Sequence, residues 1–429
     1  MNTHKEEAFC DLLIIGTGMA GMAAALFAAR NRIDTVQVGQ MGEINFASGL
    51  LDLLGVHPVS EGRVLDDPWQ GIVQLCQDEP LHPYARLSAQ NIRTAFETVT
   101  DFLDEHNYPH LFLPNRNQQV ITPAGTIKPT YAVPLTMRHG PPTLAERRPC
   151  LLVDFEGLKG FSVRQIAGSL IDRWPGLRTA HIRFPDMTGE LYTERMARAL
   201  DMAQTRKKLI AAIQPHLRKV EAVGLPAVLG VYRTQQTMEI LEQGLGVPVF
   251  EIPTMLPGVT GLRLRELFEQ HLPPMGIRPF YQQRIHTARR LPDGRWQLDL
   301  EGAGSENHII AKSAVLCSGR FFGKGLHADR KGIRESLFNL PVVQPQSRMD
   351  WHHKELLHPS GHPINRAGVA VDDCFRPADS SGQALYDNLF AAGTILAHQD
   401  WIRQKCGSGL AIATAFGAIT ACNDYLNPV

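Results

Sequence analysis

Near the start of the chain, residues 12–29 run for eighteen positions with almost no polarity. Length alone would suit a membrane span or a signal peptide. The composition points elsewhere, because Asp11 opens the run and Gly16, Gly18 and Gly21 interrupt it at fixed offsets. The pattern predicts a buried strand over 11–15, a glycine turn, and an alanine-rich helix over 22–30. A further apolar run at 35–38 reads as the next strand. Towards the other end, 388–393 predicts a short strand ending in Gly393, and 411–422 an apolar helix opened by Gly407, Gly409 and Leu410. Before them, 295–300 and 308–311 alternate as β-meander strands, with turns at 292–294 and 302–306, feeding a last parallel strand at 314–316. No other run is long enough to span a bilayer, so any membrane contact is expected through a partner.

The segment between these ends reads differently. Helices are predicted over 88–106, 163–173 and 190–213, and strands over 151–155, 178–184, 227–231 and 247–252, with proline-rich turns from Pro109 to Pro142. Residues 1–56, 255–345 and 365–429 are therefore expected to form one α/β domain, and 57–254 an inserted α+β domain that caps a ligand or meets a partner. There is no internal repeat and no low-complexity linker.

Gly16-Thr-Gly18-Met-Ala-Gly21 is a G-x-G-x-x-G run in the strand–turn–helix setting that its chemistry requires. Gly16 allows the tight turn, Gly18 lets backbone approach a phosphate, and Gly21 lets the helix pack close to the strand. The helix N-terminus then offers N–H groups and partial positive charge to an anion. A dinucleotide site usually ends its second strand with an acid for the adenosine ribose. Gly39 stands there, and neither Asp34 nor Glu43 is well placed. A mononucleotide flavin, FMN, needs no such acid; FAD remains the alternative. The 407–410 helix start adds a second positive end, suited to the charge that develops on a flavin pyrimidine on reduction.

Charge and cysteine content narrow the classes. Lys plus Arg and Asp plus Glu are both 43, so no basic footprint for nucleic acid is present. The seven Cys are widely spaced with no CxxC pair, as in a reduced cytosolic chain without an iron–sulfur or zinc framework. If electrons leave this chain, another must carry them.

Ser318-Gly319-Arg-Phe-Phe-Gly323 resembles the strand end of fumarate-reductase-like flavoproteins. Together with the loop from Ile44 through Ser48, Gly49 and Asp52 to Gly55, and the run from Pro257 through Gly261 to Arg263, it resembles the B subunit of anaerobic glycerol-3-phosphate dehydrogenase over nearly the whole chain. The resemblance implies a Rossmann-like FAD/NAD(P)-binding fold of the glutathione-reductase/fumarate-reductase type. It implies FMN as cofactor, and oxidation of sn-glycerol 3-phosphate to dihydroxyacetone phosphate in anaerobic respiration. It further implies an FAD-bearing A subunit and an iron–sulfur, membrane-anchoring C subunit. Electrons would then pass to quinone, and on to fumarate or nitrate. The chain would sit in the cytoplasm, peripheral to the inner face of the membrane through its partners. Two other readings stay open: a non-catalytic flavin relay or assembly subunit, and a stand-alone fumarate-reductase-like flavin oxidoreductase.

Taking hydride from an alcohol needs a base at the hydroxyl and cations for the phosphate. His398 is the expected base, with Arg403 or Lys405 on the phosphate or flavin edge, since these residues lie between the Gly393 and Gly407 turns. Arg138 and His139 form a second basic pair, in the insertion. Arg320 is expected to brace the flavin phosphate or face solvent, and Asp52 to cap a helix or meet the flavin ribityl chain. Ser48, Gly49, Ser318, Gly319 and Gly393 join Gly16, Gly18, Gly21, Gly407, Gly409 and Leu410 as expected cofactor contacts. Cys317 and Cys406 read as small packing residues. No metal site is expected.

Overall fold

The computed structural model describes residues 7–40, 43–301 and 308–428. The turn expected at 302–306 lies outside them. The chain divides into two compact units: Met1–Ile44, Val56–Val99 and Phe268–Val429, and Asn45–Gly55 with Thr100–Leu267.

The first unit is built on a seven-stranded sheet. Its centre is the first strand, Glu7–Ile15, parallel along its length to the long strand His308–Leu316 and, on its other side, to Thr35–Gly39. Towards their carboxyl ends the first strand and the long strand are apolar and buried, over Leu12–Ile15 and Ala314–Leu316, because both faces are covered there. Ile277–Tyr281 extends the sheet parallel to Thr35–Gly39, an addition the sequence pattern did not indicate. The long strand changes partners midway. Its first half pairs antiparallel with Trp296–Leu300, which pairs with Ile285–Arg290. Its second half pairs parallel with Leu389–Ala391. Buried Asn388 sits at this fork. Its amide donates to the carbonyls of Gly294 (2.9 Å) and Lys312 (2.7 Å), and its oxygen accepts from the Trp296 indole at 3.2 Å.

Two helices cover the centre of the sheet. Met19–Arg30 begins three residues earlier than the pattern predicts, since the glycine turn is tight enough to start the helix at once. It packs on the terminal helix Gly407–Leu426, with Phe27 and Phe416 edge to face at 5.3 Å. Both helices are alanine-rich where they meet, which permits close approach.

Residues 56–99 also belong to this unit. The backbone N–H of Val56 donates to Gln404, Arg86 pairs with Asp373 at 2.8 Å, and Arg366 pairs with Glu79. These contacts tie the segment to the C-terminal third of the chain.

The second unit centres on a four-stranded parallel sheet. Its spatial order is Val249–Ile252, Ala222–Pro226, Cys150–Phe155 and Leu177–Ile182. The strand expected at 227–231 is instead the 222–226 strand followed by a turn. There Gly230 takes φ +84°, and the Leu229 amide donates to the buried Glu251 carboxylate at 2.6 Å. The helix expected over 190–213 is two helices, Thr193–Leu200 and Ala203–Ile213, broken at Met202, whose backbone is extended.

A buried ion pair anchors this unit. Arg263 donates both terminal nitrogens to Glu251, at 2.7 and 2.8 Å, and its Nε to Gly230. Thr136 adds a hydroxyl to the same carboxylate at 2.6 Å. Burial alone pushes Glu251 up, but Arg263 and the surrounding donors outweigh it and hold the carboxyl below its usual value. Removing one partner leaves a charge without compensation. Arg263→Met is expected to cost about 3–5 kcal/mol in urea unfolding. A loss below about 1 kcal/mol would show that the pair does not anchor the unit.

Candidate functional site

Gly16 leaves the first strand between its two neighbours. Its N–H donates to Val38 at 2.8 Å, and the Cys317 N–H donates to Ile15 at 2.8 Å. Gly16 has φ +127°, and a side chain there would put Cβ 2.3 Å from the Cys317 carbonyl oxygen. A Cβ on Gly21 would lie 2.1 Å from the Gly16 oxygen. The turn is therefore glycine by necessity at two points. Gly18 then opens a helix with no side-chain cap and no acid in its first turn, leaving its leading amides to an outside acceptor.

The other expected turns come to the same place. Gly393, at φ +81°, abuts Ala20 so closely that a Cβ would be 2.6 Å from the alanine methyl. Its N–H donates to Thr414 of the terminal helix at 2.8 Å. Thr414 in turn donates to the Leu410 carbonyl at 2.6 Å. Gly409 and Leu410 are buried, and the helix that Gly407 starts has no side-chain cap and no acid in its first turn.

A cavity of about 580 Å³ opens where the first two strands end. Gly16, Thr17, Val38, Gly39 and Gln40 form one wall, and Ser318 with the 322–325 turn another. The Ser318 hydroxyl is buried and has no hydrogen-bond partner. A glycine turn pressed on backbone and an orphaned hydroxyl line one cavity, and fit a phosphate-bearing cofactor such as a flavin nucleotide. Arg284, Lys324 and Ser336 also line this cavity; no sequence motif marks Arg284.

Ser48 and Gly49 lie in the second unit. Gly49, at φ +79°, is packed on Thr260, Tyr108 and Pro134, and its carbonyl accepts from His110 at 2.8 Å. Asp52 is neither a helix cap nor open: Lys128 bonds it at 2.6 Å. In that unit Arg138 and His139 both meet Glu242, at 3.2 and 3.0 Å.

Arg320 neither faces solvent nor is left for a phosphate. Its guanidinium donates to the carbonyls of Thr394 (2.7 Å), Gln399 (2.9 Å), Leu396 and Asn365. Burial lowers it to about 10, so it stays charged at neutral pH. Arg403 is likewise engaged with backbone, on the carbonyls of His358 and Pro359.

His398 is half-buried and adopts φ +64°, rare for a side chain of this size. Its N–H donates to the Arg366 carbonyl at 3.0 Å, and its own carbonyl accepts from the Arg366 guanidinium at 3.2 Å. Burial, then the charges of Arg366 and Arg86, push the imidazole below its usual value, so it is neutral at pH 7. Cys317 and Cys406 are buried.

This architecture, a mixed sheet whose parallel strands end in glycine turns, is that of a flavoprotein. The FAD binding domain family matches residues 11–410. Two curated relatives align over nearly their whole length. One, from Halobacterium salinarum, is named as a probable B subunit of anaerobic glycerol-3-phosphate dehydrogenase; it is 30% identical over 97% of this chain and 98% of its own. The other, from Pasteurella multocida, is named as the B subunit of the same dehydrogenase and is 29% identical, over 95% and 97%. Among solved structures, a flavocytochrome c3 fumarate reductase covers 98% of this chain and 79% of its own, at TM-score 0.43 and 9% identity. The chain belongs to the FAD-binding-domain flavoproteins and, within them, to the family of anaerobic glycerol-3-phosphate dehydrogenase B subunits.

The loop that carries His398 rests on a neutral histidine. The His82 Nδ1 accepts the Tyr84 N–H at 3.2 Å, and its Nε2 lies 3.3 Å from the Gln404 side-chain oxygen. Burial pulls His82 down to about 3. The folded value lies below the unfolded one, so its contribution is intact above about pH 6.5 and is lost as pH falls towards 3. His82→Gln should flatten the acid limb of a stability–pH curve by up to about 1.4 kcal/mol per pH unit. An unchanged limb would show that this histidine is not held neutral.

Proposed function

We propose that this chain binds a flavin and serves a glycerol-3-phosphate dehydrogenase that oxidises sn-glycerol 3-phosphate to dihydroxyacetone phosphate. The observation that carries the reading is the meeting of the Gly16, Cys317 and Gly393 backbones beside two uncapped helix starts, in a chain of this family. When bound, the flavin supplies the acceptor for the hydride that leaves the alcohol carbon. His398, held neutral and clamped on both backbone atoms by Arg366, takes the hydroxyl proton. Arg403 positions the 398–405 segment against the loop at 358–359. Ser48 and Gly49 remain proposed cofactor contacts.

FMN is the proposed cofactor, in keeping with Gly39 at the place of a ribose-binding acid. FAD is the second reading, favoured by the match to the FAD binding domain family. Among the described residues no three His, Cys, Asp or Glu side chains converge on a metal position, and no helix is long and apolar enough to cross a membrane. In this reading an FAD-bearing A subunit and an iron–sulfur C subunit carry electrons to quinone and hold the chain peripherally at the membrane.

Purified chain should show flavin absorbance, and the released cofactor should have the mass of FMN. Glycerol 3-phosphate should bleach that absorbance, and His398→Ala should slow bleaching at least about a hundredfold. Bleaching only with the A subunit present would make this chain a relay. An unchanged rate in His398→Ala would reject the base assignment.

A further inference from the structure

The flavin cavity continues into a groove of about 550 Å³, and the two share Arg284, Lys324, Glu335, Ser336 and Leu337. The charges along this wall are unequally partnered. Glu335 is buried, and its carboxylate accepts the amides of Leu337 (2.9 Å), Phe338 (2.7 Å) and Leu340 (3.3 Å). Glu301 faces His286 at 3.7 Å, and Arg334 pairs with Asp329 at 2.6 Å. Arg284 and Lys324 are left: among the described residues neither side chain makes an ion pair or a hydrogen bond.

The opposite wall adds no negative charge. A Cβ on Gly39 would lie 2.8 Å from the Thr17 methyl and 3.0 Å from its backbone nitrogen. The Thr17 hydroxyl is itself bonded to the Gln40 carbonyl at 2.9 Å. Thr17 thus fills the space that an acid at this position needs.

Given the flavin reading, on which this rests, we propose that Arg284 and Lys324 bind the phosphate of the flavin's nucleotide tail. Arg284 supplies paired donors and Lys324 a point charge, the combination suited to a phosphate ester. The shared chemistry is an FMN monophosphate or an FAD pyrophosphate.

The test is flavin binding to deflavinated protein, followed by fluorescence quenching, with FMN, FAD and riboflavin as probes. In Arg284→Gln/Lys324→Gln the affinity for the phosphorylated flavins should fall about a hundredfold, with riboflavin unchanged. The flavin that loses more identifies the tail. Lys324 is exposed, so Lys324→Gln alone keeps the fold and should lose about tenfold. Unchanged FMN and FAD affinities, with flavin still bound, would overturn the assignment and leave the flavin reading standing. An equal loss for riboflavin would also overturn it. Wild-type protein that takes none of the three would end both.

Discussion

Everything at the carboxyl end of the large sheet depends on the first strand and the long strand leaving it side by side. Ile15 is opposite Leu316, and one residue later the two backbones touch at Gly16 and Cys317. No side chain fits between them. The contact fixes the direction of the turn that leads into the Met19–Arg30 helix. Gly21 then rests on Gly16, and Gly393 on Ala20. Each close approach presupposes the one before it, so this end of the sheet is set by backbone packing rather than by polar side chains.

The region after Gly393 is held by different means. It is irregular, and buried irregular backbone needs partners for its carbonyls. Arg320 supplies them for three of its residues, Thr394, Leu396 and Gln399, and Gln399 adds bonds to Thr394 and Leu396, at 3.3 and 2.9 Å. Gln404 closes the next turn on Asp400 and receives His82. A charged guanidinium surrounded by carbonyl dipoles is well satisfied without a carboxylate. This frame holds His398 in a left-handed conformation that its own sequence does not favour.

The first strand, its glycine turn and the helix after it were legible in the sequence, because glycine at 16, 18 and 21 after an apolar run has few other physical explanations. The terminal helix and its glycine start were legible for the same reason. The place of residues 45–55 was not. Nothing in that loop announces that Gly49 packs on Thr260, or that Ala47 accepts the Thr260 hydroxyl at 3.1 Å. The role of Arg320 was also hidden, since its partners are carbonyls, which every residue carries. Arg263 stood out only by family resemblance; its buried partner Glu251 lies twelve residues away, on the strand Val249–Ile252. Arg284 and Lys324 became visible only once their neighbours' charges were assigned.

The central claim is that three distant glycine turns enclose one flavin. Amide hydrogen exchange on deflavinated protein, with and without added flavin, tests it most directly. The account predicts joint protection of amides at 16–22, 317–325 and 393–410 on binding. Protection confined to one of these segments, or flavin binding that leaves all three unchanged, would contradict it.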